Sequence, residues 1–263
     1  MIDTHCHLTF PDFRGKIQET LAEAAAAGVT GAITISTTTL DCLEALAIAK
    51  GHPDVWCTAG VHPLYADQGP HLWGNLRLVA ADARCVAWGE LGLDNHYAEP
   101  ARETQRAVLG EQLAFIEGCH RETGRVLPIV IHCREAFSDL IPVLRGTGLD
   151  PARFVFHCFT GGPGDMRALL DFGAMVSFTG VVTYRNAAEV REATRLAPLG
   201  RIMVETDAPY LSPDPHRGER PCKPWMTSVT ARRLAEIRGE QWEGFHAAIN
   251  RNTTAFFGVP VKG

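Results

Sequence analysis

Thr4-His5-Cys6-His7-Leu8 closes the first apolar run of the chain with two histidines where a nucleotide-binding sheet would carry glycines. That run begins at Ile2. Seven more runs rich in Val, Ile, Ala and Phe start near Gly31, Val55, Val86, Leu127, Arg153, Ala174 and Ile202, with helix-like stretches between them. This alternation is the pattern of βα units feeding a parallel sheet. Each interval leaves room for one helix and its loops, and eight strands close a barrel. The expected fold class is therefore α/β, a (β/α)8 TIM barrel, at about the usual ~250 residues. A doubly wound open sheet is the competing architecture. It would carry a glycine fingerprint after the first strand, where this chain has two histidines.

The clearest predicted helix covers 101–123, where Val108, Leu109, Gln112, Leu113 and Ile116 set an apolar stripe at three-to-four spacing. Arg102, Glu103, Arg106 and Glu111 fall largely on the other side. Beyond the eighth strand, 226–238 and 241–257 read as extra C-terminal helices, preceded by a Pro-rich, basic loop over 211–225. Neither a linker nor an internal repeat interrupts the pattern, so 1–263 is read as a single barrel domain.

Composition excludes several classes of protein. With 263 residues, 46% hydrophobic, 21% charged and a net charge of -5, disordered and collagen-like architectures are ruled out and a sizeable core is expected. No apolar run is long enough to span a bilayer, and Met1-Ile2-Asp3 leads into His5 and His7 without a basic-then-apolar leader. A cytoplasmic protein is expected, with no membrane partner and no obligatory protein partner. The 8 cysteines are scattered without a C-x-x-C pair, which reads as reduced thiols.

The strand ends carry the chemistry. His5 and His7 are two apart, so they leave the same face of the first strand in a chelating geometry, although paired histidines are also often merely solvated. Strand four ends in Trp88-Gly89-Glu90-Leu91-Gly92-Leu93-Asp94, and strand five in Ile131-His132-Cys133-Arg134. Strand six ends in Phe156-His157-Cys158-Phe159, and strand eight leads to Glu205-Thr206-Asp207. Each places a metal-ligating side chain where a barrel keeps its active site. Burying such groups unpaired would cost several kcal/mol each, whereas shared cations account for them together.

Six ligands, His5, His7, Glu90, His132, His157 and Asp207, exceed what one tetrahedral zinc takes. Two divalent ions fit better. Glu90 would bridge them at about 3.5–4 Å, a water between them would be the nucleophile, and Asp207 would accept its proton. Four histidines favour zinc or manganese, while the carboxylates and a phosphate substrate admit magnesium. Cys6, Cys133 and Cys158 each adjoin a proposed ligand, and strand alternation turns them toward the helix layer as small apolar residues.

These segments, together with Asp3-Thr4-His5-Cys6-His7-Leu8, Gly60-Val61-His62-Pro63, Ile131-His132-Cys133-Arg134-Glu135-Ala136 and Glu205-Thr206-Asp207-Ala208-Pro209-Tyr210-Leu211, resemble the TatD-related deoxyribonucleases. Those are metal-dependent hydrolases of the amidohydrolase superfamily, and the resemblance covers nearly the whole chain. It implies a barrel with a divalent-metal site at the same six residues and hydrolysis of phosphodiesters, typically at DNA ends. It also implies that His62 lies near the substrate phosphate and that Glu205 supports the metal site. Physically, His62 follows strand three on the catalytic face and could donate to a phosphate oxygen. Glu205 shares a strand face with Asp207, one layer deeper, where a buried carboxylate needs a partner.

Arg134 stands two residues beyond His132, and its guanidinium fork suits a phosphate; a salt bridge to Glu135 or Asp139 is the alternative. The loop after strand eight holds Arg217, Arg220 and Lys223 beside Asp214 and Glu219, which suits either substrate binding or a solvated basic loop. Here the chain departs from the family's R-G-x-x-N-x-P: Arg217-Gly218-Glu219-Arg220-Pro221-Cys222-Lys223-Pro224 has no Asn and is one residue longer. The residues of Asn252-Thr253-Thr254-Ala255-Phe256-Phe257 match the family's closing N-x-x-x-x-F, with the aromatics read as packing.

The expected function is therefore a divalent-metal-dependent phosphodiester hydrolase, a TatD-like exonuclease whose partner is DNA or another phosphodiester. A net charge of -5 suits this if bound cations neutralise the phosphate locally. The alternative is a metal-dependent amidohydrolase or esterase acting on a carbonyl or aminoacyl-nucleic-acid link. Many such relatives bridge their metals with a carboxylated lysine, but Lys16, Lys50, Lys223 and Lys262 all lie away from strand ends. A non-catalytic binding module is the third class, and scattered His, Glu and Asp donors suit it less than an exchangeable catalytic site.

Overall fold

A computed structural model describes residues 1–261. Eight strands appear in chain order: β1 (Ile2–Cys6), β2 (Gly31–Thr34), β3 (Val55–Ala59), β4 (Cys85–Asp94), β5 (Ile129–Arg134), β6 (Phe154–Phe156), β7 (Met175–Phe178) and β8 (Ile202–Val204). Each begins within two residues of the position expected from the sequence. Every strand pairs in parallel with the next, in the order β1-β2-β3-β4-β5-β6-β7-β8. The chain just past β8 closes the ring. Cys6 bridges Ala208, Asp207 N–H donates to His5 O at 2.8 Å, and His7 N–H donates to Ala208 O at 2.7 Å. This is the (β/α)8 barrel.

Between the strands run α1 (Ile17–Ala26), α2 (Asp41–Gly51), α3 (Trp73–Ala81), α4 (Arg102–Thr123), α5 (Phe137–Arg145), α6 (Pro163–Phe172) and α7 (Ala188–Leu196). Two more, α8 (Thr227–Arg238) and α9 (Trp242–Phe257), follow β8. The expected stripe of α4 is buried and its four charged residues are exposed. Among the described residues no helix is long and apolar enough to cross a membrane.

Period-two alternation splits the apolar side chains into two layers. Ile2, Ile33, Trp56, Val86, Val130, Val155, Met175 and Met203, one from each strand, meet in a single cluster, which only the barrel interior allows. Phe256, Phe257 and Val259 join them, so the end of α9 packs against the lower end of the barrel. Outward-facing Ile129, Ile131, Phe154, Phe156 and Ile202 pack with the helices. Full burial of a side chain of this size contributes about 1.5–3 kcal/mol. With the lower barrel filled by apolar groups, the polar residues are left to the upper rim.

Two irregularities of register aim those polar residues. The β1–β2 register shifts between Asp3 and Cys6, so Ile2 and His5 both face inward despite their odd spacing. The β4–β5 register shifts between Trp88 and Leu91, the stretch that presents Glu90. Glycine is required here. Gly92 has φ 151° and pairs with His132, whose carbonyl oxygen would lie 1.9 Å from any Cβ. At Gly89, φ 127°, a Cβ would meet Val130 O at 2.7 Å.

Candidate metal centre

All six residues expected as ligands converge at the C-terminal mouth of the barrel. His5 lies one residue before the end of β1 with His7 just past it; Glu90 lies in β4, His132 in β5, His157 one residue past β6, and Asp207 three past β8. Five of these side chains are held by short strands or their immediate exits. Asp207 sits on a tighter bend, with φ 62°, a left-handed conformation that Asp adopts more readily than most residues.

Glu90 occupies the centre. Its Oε1 faces His5 Nε2 and His7 Nε2, each at 3.7 Å. Its Oε2 faces His157 Nε2 at 2.8 Å, His132 Nδ1 at 3.5 Å and His62 Nε2 at 3.9 Å. Asp207 Oδ1 joins the first group, 3.2 Å from His7 Nε2 and 3.5 Å from His5 Nε2. His62, expected beside the substrate, is thus within ligand reach of Glu90 and His132 as well.

The electrostatics are those of a cation site. His5 is fully buried, and neither of its ring nitrogens has a hydrogen-bond partner. A buried unpaired polar atom costs roughly 1–3 kcal/mol, and a divalent ion beside Nε2 removes that penalty. Burial alone would raise the Glu90 carboxyl, yet the His62, His157 and His5 imidazoles outweigh it and hold it well below the usual range. Burial opposes protonation of His157, but Glu90 and Glu205 raise it well above an ordinary histidine. Burial likewise lowers His5, and lowers His62 to about 3. Carboxylates and imidazoles without a thiolate suit zinc, manganese or magnesium. The residues fit a divalent cation.

Around this centre lies a layer of orienting contacts. Glu205 is buried, 3.3 Å from His157 Nδ1, and accepts from Ser177 Oγ at 2.6 Å and Cys158 N–H at 2.7 Å. Two residues here had no role in the sequence reading. Asp94 Oδ2 lies 2.9 Å from His132 Nε2, leaving Nδ1 turned to Glu90. Buried Asp3 accepts from Thr206 N–H at 2.9 Å, Thr206 Oγ1 at 2.6 Å and His5 N–H at 3.3 Å, so it ties β1 to the segment holding Glu205 and Asp207. Burial pushes its carboxyl up to about 7. The signal for Asp94 was present in Gly89-Glu90-Leu91-Gly92-Leu93-Asp94, but the pairing needed the register.

Above the centre opens a cavity of about 730 Å³, lined by His7, Glu90, His132, Asp207 and their loops. His62, Arg134, Arg217 and Arg220 line it too. Arg134 reaches Tyr97 OH at 3.5 Å rather than its two alternative partners, since Glu135 pairs with His96 at 2.8 Å and Asp139 with Arg106 at 3.2 Å. Lys223 departs from the expected basic cluster, pairing with Glu23 of α1 at 2.7 Å. Cys222 is buried, with its Sγ 3.6 Å from Met226 Sδ. Cys6 and Cys133, the latter also bordering the cavity, pack in the helix-side core as expected. Cys158 does not. β6 ends at Phe156, so alternation no longer applies, and at φ 45° the side chain lines the cavity with Sγ 3.4 Å from Thr179 Oγ1.

Imidazoles and carboxylates gathered at the mouth of a parallel barrel define a metal-dependent hydrolase. Comparison with known proteins agrees. The model of the family described as TatD related DNase matches residues 2–258. The chain is 35% identical over 267 residues to YcfH of Escherichia coli (strain K12), described as an uncharacterized metal-dependent hydrolase, covering 100% of this chain and 97% of that one. It is 34% identical over 263 residues to a protein of Pantoea vagans (strain C9-1) named 3'-5' ssDNA/RNA exonuclease TatD, covering 98% and 99%. The crystal structure of YJJV, a TatD homologue from Escherichia coli K12, superposes with a TM-score of 0.91 at 30% identity, covering 99% and 98%. The chain belongs to the TatD-related DNase family.

Proposed function

We propose that this hydrolase cleaves phosphodiester bonds at the ends of DNA strands, using two divalent cations held by His5, His7, Glu90, His132, His157 and Asp207. The observation that carries this reading is the division of Glu90, whose Oε1 faces His5 and His7 and whose Oε2 faces His157, His132 and His62. A carboxylate addressed on both oxygens by separate donor sets is suited to bridge. The relative from Pantoea vagans, named as an exonuclease, supports the choice of substrate.

Divalent ions bound there would polarise the phosphoryl oxygen and make water more acidic. The residues of the chain do the rest. Asp207 has the most exposed carboxylate of the set, at 16%, and so is placed to take a proton from the attacking water. Leu64 N–H donates to His62 Nδ1 at 3.0 Å, so the neutral ring carries its hydrogen on Nε2, which lies 3.1 Å from His132 Nδ1 and would be released to donate to a phosphate oxygen when that nitrogen holds a cation. Arg134 supplies a second, charged donor to that phosphate. Glu205 fixes the ring of His157.

The test is a time course on 3′- and 5′-labelled single-stranded DNA with metal-stripped protein restored with Mg, Mn or Zn. Stepwise shortening that needs metal and is lost in Glu90→Ala is expected. If none of the ions supports cleavage, the substrate assignment is overturned and a carbonyl substrate becomes the working reading.

A further inference from the structure

The chain has 4 tyrosines in all, and all four line the cavity, on loops that follow β3, β4, β7 and β8. Tyr97 is 48% exposed and Tyr210 is 47% exposed, and no other exposed large hydrophobic side chain among the described residues lines the cavity. They stand at opposite ends of the carboxylate floor. Tyr97 follows Asp94, the partner of His132, on the β4 side. Tyr210 follows Asp207 on the β8 side, its ring edge-on to Phe10 with centroids 6.2 Å apart, and Phe10 in turn stacks on His7 at 4.7 Å.

Each end also has guanidinium groups. Arg134 Cζ lies 5.2 Å from the Tyr97 ring centre. At the other end, Cys222 N–H donates to Pro209 O at 2.9 Å, folding the loop back so that Arg217 and Arg220 line the cavity, Arg217 with its Cζ 3.7 Å from the ring centre of Tyr184. The neighbouring carboxylates are engaged elsewhere: Glu135 with His96 and Glu219 with His216. A half-exposed aromatic ring beside an available arginine is how proteins hold unpaired nucleotides, the ring stacking a base and the guanidinium meeting the phosphate.

We propose that Tyr97 and Tyr210 are base-stacking stations on the two sides of the scissile phosphate, so that the site requires an unpaired base on each side of the bond it breaks. This rests on the phosphodiesterase reading and adds specificity residues to it. A base held on a tyrosine cannot remain in a duplex, so blunt duplex ends are cut more slowly than single strands.

The experiment measures kcat/KM of the metal-restored enzyme on single-stranded DNA and on the same strand with an abasic residue at the terminal or the penultimate position. Wild type, Tyr97→Ala, Tyr97→Phe, Tyr210→Ala and Tyr210→Phe are compared. Removing a base costs wild type about tenfold or more, and each Ala variant loses a similar factor on intact DNA. The decisive result is the coupling. An Ala variant loses nothing further on the substrate lacking the base its tyrosine would stack, while the Phe variants, which keep the ring, retain the wild-type loss on that substrate. If intact and abasic strands are cut alike, or if the Ala and abasic losses multiply independently, the stations are wrong while the nuclease stands. No cleavage of any strand with Mg, Mn or Zn overturns the nuclease reading and the stations with it.

Discussion

Asp94 Oδ2 lies 2.9 Å from His132 Nε2, and this contact decides which ring nitrogen of His132 faces Glu90. With Nε2–H donated to the carboxylate, Nδ1 keeps its lone pair for a cation. Partners of this kind, one step removed from the metal, typically contribute a factor of about 10–100 in metal affinity. Asp94→Ala is therefore expected to weaken binding of Mn or Zn by about that factor, read by calorimetric titration, with an unchanged circular dichroism spectrum. Unaltered affinity would show that His132 is oriented by something else.

His5 gives a second test, because its two unpartnered nitrogens leave the metal-free centre incompletely satisfied. An ion that binds only the folded state at about 1,000 times its Kd stabilises by about 4 kcal/mol. At about 2–4 °C per kcal/mol for a chain near this size, restoring metal to chelator-treated protein should raise Tm by about 8–16 °C. A His5→Ala variant should show a much smaller rise. Equal rises in both proteins would remove His5 from the binding set.

Gly92→Ala probes how the scaffold aims the centre. The added Cβ would meet His132 O at 1.9 Å, at a φ of 151° that side chains rarely adopt. Backbone strain and overpacking each cost about 1–3 kcal/mol, so a loss of about 2–6 kcal/mol is expected in urea unfolding. Retention of wild-type stability would mean that β4 and β5 can separate without penalty.

The basic loop separates into two parts. Lys223 pairs with Glu23 on α1, at about one-third exposure for each partner, and such pairs are worth about 0–1 kcal/mol. Lys223→Ala should leave DNA cleavage unchanged. Arg217 and Arg220 line the cavity, so the double Ala variant should raise KM and flatten the dependence of cleavage on salt. An effect of Lys223→Ala as large as that of the arginine pair would contradict this division.

The fold and the six central residues were legible for the same reason. Short apolar runs separated by helical spacing predict βα units, and in a barrel the residue ending each run lies at the common mouth. His5, His7, Glu90, His132, His157 and Asp207 therefore need only local pattern and topology to be brought together. What escaped depended on contacts across strands. The Asp94–His132 pair exists because Gly92 sits directly beside His132 in the β4–β5 register. Asp3 acquires its role only when Thr206, from the far end of the chain, packs against it. Cys158 was misdirected because alternation was carried past Phe156, where the strand had already ended. Lys223 was grouped with Arg217 and Arg220 because nothing local shows Glu23 beside it.

Counting metal per chain shows whether Glu90 serves two ions at once. Wild type and Glu90→Ala are stripped, dialysed against excess Mn or Zn and then against metal-free buffer, and assayed by elemental analysis, with circular dichroism confirming the fold of the variant. Two ions per chain in wild type and at most one in Glu90→Ala is the result predicted. A single ion in wild type, or two retained by Glu90→Ala, would contradict it.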